Sequence, residues 1–153
     1  MRAAYKILAH TIAGLVAFQA AVMVFAISGL VIWIDEGNSL TKSTMESEPD
    51  FLGAIGFMLH FFGAVLIVLL SLVLLIISFF SKVPGGAKWA AFVFVAAVLQ
   101  FALGIFGHET PWSGLLHGLN ALVLFSVALM AGRRASTTPA AGVASPYEDA
   151  ATR

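Results

Sequence analysis

The 153-residue chain is 60% hydrophobic and only 10% charged, far from the roughly 25% charged content of a soluble domain. Its formal net charge is zero, which gives a nucleic-acid partner no electrostatic hold. Cysteine is absent, which excludes disulfides, thiolate metal sites, iron–sulfur clusters and covalent haem attachment, and leaves histidine as the only strong nitrogen ligand.

Four apolar runs reach the length of about 20 residues that a helix needs to cross a hydrocarbon core. The first, over 8–34, follows Met1-Arg2-Ala3-Ala4-Tyr5-Lys6. It is longer than the apolar part of a signal peptide, about 7–15 residues, so an uncleaved first helix is expected. A polar stretch over 35–50 carries Asp35, Glu36, Glu46, Glu48 and Asp50 against Lys42. Asn38-Ser39 and Ser43-Thr44 within it predict turn or cap chemistry, in a segment long enough to serve as a lid or docking surface.

The second run, 51–80, ends at a Pro84-Gly85-Gly86 turn flanked by Lys82 and Lys88, and the third follows over 87–107. After the turn Gly107-His108-Glu109-Thr110-Pro111 the fourth run covers 112–132 and is closed by Arg133 and Arg134. Residues 1–134 therefore read as one transmembrane domain. The remainder, 135–153, is small, polar and proline-containing, too poor in apolar residues to fold alone, and is expected to be a disordered cytoplasmic tail.

Arg2, Lys6, Lys82, Lys88, Arg133 and Arg134 all fall at the same ends of the four runs, and the positive-inside rule assigns those ends to the cytoplasm. Short connections make neighbouring helices antiparallel. The expectation is an all-α membrane protein: four transmembrane helices in an up-down-up-down antiparallel bundle, both termini cytoplasmic, embedded in the lipid bilayer of the inner (plasma) membrane.

His60 and His117 interrupt two of these apolar runs, and an ionisable side chain at membrane depth is costly enough to mark a site. At 1.5 Å per residue they lie about 13 Å and about 8 Å below the starts of their helices. Gly53, Gly56, His60 and Gly63 share one helix face, as do Gly114, His117, Asn120 and Ala121. Such small-residue stripes admit either a neighbouring backbone or the flat face of a macrocycle. Two readings follow. The histidines form interhelical hydrogen bonds to Gln19, Gln100, Asn120 or a free carbonyl, or they supply both axial ligands to one b-type haem. His10 sits near the cytoplasmic interface, which alone explains it, and His108 in the last turn is a solvated loop residue or a contact to a haem propionate or a metal. No Ser-His-Asp order, H-E-x-x-H, phosphate loop or intramembrane carboxylate pair is present.

Leu59-His60-Phe61-Phe62-Gly63, Leu99-Gln100-Phe101-Ala102-Leu103-Gly104 and Leu116-His117-Gly118-Leu119-Asn120-Ala121 resemble segments of a family of small four-helix bacterial membrane proteins without assigned function. They are also similar to one four-helix half of haem A synthase, over roughly residues 50–134. In that enzyme the histidines of the second and fourth helices of a half approach a haem, and His60 and His117 match those positions. The glutamate that precedes the helix 2 histidine there has no counterpart in Phe51-Leu52-Gly53-Ala54-Ile55-Gly56. The resemblance therefore implies haem binding without haem A synthesis. Gln100, Asn120 and His108 are the residues expected to orient ligands or propionates. The functional expectation is a non-catalytic or electron-transferring bundle holding one haem b. The alternative is a haem-free accessory subunit of a larger membrane complex such as a respiratory oxidoreductase.

Overall fold

The computed structural model describes residues 1–47, 50–107 and 110–136. Glu48, Pro49, His108, Glu109 and the tail from residue 137 onward lie outside the described residues. The described residues form five helices, α1 (Arg2–Asp35), α2 (Lys42–Glu46), α3 (Ala54–Ser78), α4 (Gly86–Phe106) and α5 (Pro111–Arg134). Four of them, α1, α3, α4 and α5, are long and apolar enough to cross a membrane. That is the build of a multi-pass membrane protein.

The first helix starts six residues earlier than its apolar run, at Arg2 rather than residue 8. Its first turn is tied to the rest of the bundle. The Arg2 Nε donates to the Ala135 carbonyl at 2.9 Å, and the fully buried Tyr5 donates its hydroxyl to the Gly86 carbonyl at 3.0 Å. These bonds join the starts of α1 and α4 to the end of α5. Replacing Tyr5 with Phe removes this interhelical hydrogen bond and is expected to cost about 0.5–1.5 kcal/mol in a detergent-unfolding titration.

Glycine and hydroxyl chemistry sets the other boundaries. The run expected over 51–80 is trimmed at both ends to Ala54–Ser78. Gly53 precedes it with φ 108°, where a side chain is strained, and a Cβ there would also meet the Phe25 carbonyl at 2.8 Å. Beyond Ser78, the Ser81 hydroxyl donates to the Ser78 carbonyl and accepts from the Val83 N–H, which turns the chain toward α4. Thr110 caps α5 by accepting from the Ser113 N–H, with Pro111 in the first position, where a missing N–H costs nothing. The turn chemistry expected near Ser43-Thr44 is a capping box: Thr41 and Thr44 exchange side-chain and backbone hydrogen bonds around the single turn of α2.

The four long helices form a ring. α1 packs against α3 and α5, and α4 packs against the same two, while the backbones of the diagonal pairs stay apart and meet only through side chains. The ring is solid at one end, where Tyr5, Ile12, Leu74, Val93 and Leu124 are fully buried, and Ala9, Ala90, Ala128 and Ala131 let the helices approach closely. Toward the other end its centre opens into a lumen.

Candidate functional site

His60 and His117 come from the diagonal pair α3 and α5, and they meet across the lumen. Their ring centroids are 6.1 Å apart with the planes inclined at 55°. Both are six residues into their helices, counted from Ala54 and from Pro111, so both lie about 9 Å from those helix starts.

Each ring is fixed by the backbone of a helix other than its own. The His60 Nδ1 is 3.2 Å from the Gln19 carbonyl of α1, and the His117 Nδ1 is 3.0 Å from the Gln100 carbonyl of α4. A carbonyl only accepts, so Nδ1 carries the proton in both neutral rings. Nε2 then holds the lone pair. All four long helices contribute to this arrangement, two through imidazoles and two through carbonyls.

Side-chain amides join the helices that supply the two carbonyls to α3 and α5. Gln19 is buried and donates through Nε2 to the carbonyls of Leu59 and His60 at 3.4 and 3.2 Å, closing a reciprocal link between α1 and α3. Its Oε1 is buried with no hydrogen-bond partner among the described residues. Asn120 donates to the Ala96 carbonyl at 2.9 Å and to Gln100 Oε1 at 2.8 Å, which ties α5 to α4 one turn from His117. Gln100 and Asn120, expected as orienting residues, are thus in the set around His117. His108 lies outside the described residues. His10 is apart from the pair; its Nδ1 is bonded to the Lys6 carbonyl and its ring occupies the space left by Gly132.

The small-residue stripes divide between the two roles their sequence allowed. On α3, Gly56 faces α1, where a Cβ would meet Ala26 Cβ at 2.8 Å and the Val22 carbonyl at 3.0 Å. Gly63 abuts the Gln19 amide on the same side. That stripe is a helix-packing face. On α5, a Cβ on Gly114 or Gly118 would meet nothing within 4 Å, and both residues line cavities. Gly104 has a further role that the sequence did not single out: a Cβ there would come within 3.1 Å of His117 Cε1, so glycine gives that ring its place.

Two cavities adjoin the histidine pair, of about 770 and about 350 Å³. His60, His117, Met23, Ala64, Gln100 and Phe101 line both. The larger continues past Phe57 and Leu103 to Gly107 and Gly114, near the α4–α5 connection, and the smaller runs inward to Ile67, Ala97 and Leu124. Both sizes fall in the range of about 300–1,000 Å³ common for small-molecule sites.

Among the described residues, no three His, Cys, Asp or Glu side chains gather closely enough to hold a metal ion. Two imidazoles alone suit a metal that brings its own equatorial ligands, as a porphyrin-bound iron does. Two imidazoles with Nδ1 engaged by carbonyls, beside cavities of this size, are a donor set and a space that a haem would fit. No protein-family model, curated protein or solved structure matches this chain.

Proposed function

We propose that this protein is a b-type cytochrome of the inner membrane, holding one haem between His60 and His117 for electron transfer. The observation that supports the reading best is the state of the two rings. Each donates Nδ1–H to a backbone carbonyl, the arrangement that metal-bound histidines ordinarily show, and each keeps Nε2 as the ligating atom. A haem held in this way supplies reversible one-electron chemistry. The protein orients the ligands through the Gln19 and Gln100 carbonyls, and the apolar lining formed by Met23, Ala64 and Phe101 restricts water around them.

In the proposed topology the four long helices run up-down-up-down and antiparallel, with both termini on the cytoplasmic side. The six cations of Arg2, Lys6, Lys82, Lys88, Arg133 and Arg134 support this orientation, because all belong to one end of the bundle. The histidine pair then lies in the outer half of the membrane. The resemblance to one half of haem A synthase points to the same two ligands.

Purified protein from haem-replete cells is expected to show a Soret band that shifts on reduction with dithionite, with the sharp visible bands of a six-coordinate low-spin iron. A featureless spectrum, with the chain co-migrating with larger subunits in native purification, would instead identify a haem-free accessory subunit. The exposed apolar perimeter suits lipid and neighbouring subunits equally, so it favours neither reading.

A further inference from the structure

The solid end of the ring carries the cations, and the fold brings them together from four helix termini. The Arg2–Ala135 bond sets the start of α1 beside Arg133 and Arg134. The Tyr5–Gly86 bond sets it beside the start of α4, two residues before Lys88. The Arg134 guanidinium lies over the Trp89 ring at 4.8 Å from its centroid, and the Lys88 Nζ is 5.7 Å from that of Phe92. Lys82 occupies the α3–α4 connection at φ 54°. Among the described residues every carboxylate, namely Asp35, Glu36, Glu46 and Asp50, belongs to the opposite end or its loop.

Charge is only half of what this surface presents. Next to Lys82, Phe79 and Phe80 are 70% and 65% exposed, and Ile7, adjoining Lys6, is 66% exposed. A free phosphate would use the cations and leave these residues unmatched. A phospholipid uses both, its phosphate against the lysine ammonium groups and its acyl chains against the aromatic and aliphatic side chains.

We propose that this end of the bundle is a binding surface for an anionic phospholipid, with the headgroup phosphate near Lys82 and Lys88 and the chains along Phe79 and Phe80. Each cation near a membrane surface contributes about a fivefold preference for anionic lipid. The inference is independent of what the histidine pair binds.

The test uses the full chain with Trp33→Phe and Trp112→Phe, so that Trp89 is the sole tryptophan. It is reconstituted in phosphatidylcholine vesicles doped with equal minor fractions of brominated phosphatidylglycerol or brominated phosphatidylcholine. Quenching of Trp89 by the anionic lipid is expected to indicate at least about a threefold preference, falling toward parity in Lys82→Asn/Lys88→Gln and with added salt. Equal quenching by the two lipids in the parent protein overturns the proposal without recourse to any charge variant. Displacement of the brominated phosphatidylglycerol by inorganic phosphate at constant ionic strength also overturns it, assigning the surface to a free anion.

Discussion

Replacing His117 with alanine is expected to abolish the Soret band of the purified protein while the helices still form. The ring makes one cross-helix bond, to the Gln100 carbonyl, and Asn120 continues to hold α5 against α4 through Gln100 and Ala96. Loss of a group that merely orients a metal ligand lowers affinity about 10- to 100-fold, and removal of the ligand itself exceeds that. His117→Gly with added imidazole separates ligation from packing. The small ligand refills the position, and recovery of the band is expected. The same pair of experiments on His60 reads the other axial position. A spectrum that survives both alanine substitutions unchanged would falsify the ligand assignment.

The second large effect concerns packing. Gly56→Val is expected to destabilise the bundle by about 1–3 kcal/mol in a detergent-unfolding titration, because added volume has no room to relax. A Cβ at this position already meets Ala26 and the α1 backbone at Val22, so α1 and α3 must separate. Separation also pulls the Gln19 carbonyl from His60, and weaker haem retention should accompany the lost stability. Gly14→Ala is the control. A Cβ on Gly14, in the middle of α1, meets nothing within 4 Å, so the substitution is expected to stabilise the helix by about 0.5–1 kcal/mol. Equal losses from both substitutions would show that the close α1–α3 approach does not govern stability.

The long helices were legible in the sequence because apolar length is a property of the residues themselves. The polar exceptions, His60 and His117, were visible for the same reason. The depths of about 13 and 8 Å inferred from the apolar runs become equal once Gly53 and Thr110 fix the true helix starts. What the residues could not disclose was the role of each glycine stripe. A missing Cβ looks the same whether a backbone or a cavity fills its place, and only the ring arrangement separates Gly56 and Gly63 from Gly114. The acceptors for the two Nδ1 atoms were hidden for a related reason. Every residue has a carbonyl, so choosing those of Gln19 and Gln100 requires the relative height of neighbouring helices. The early start of α1 was concealed by Arg2 and Lys6, whose charges interrupt the apolar signal although the backbone remains helical through them.

The distribution of the site over all four long helices has a consequence for biogenesis. α1 supplies a carbonyl, α3 an imidazole, α4 a carbonyl and α5 the second imidazole, while α5 also closes the ring against α1. A chain emerging from the ribosome therefore holds only one of the two imidazoles until its last apolar segment is made. The arrangement around the two rings is therefore complete only once the last of the four long helices has been made.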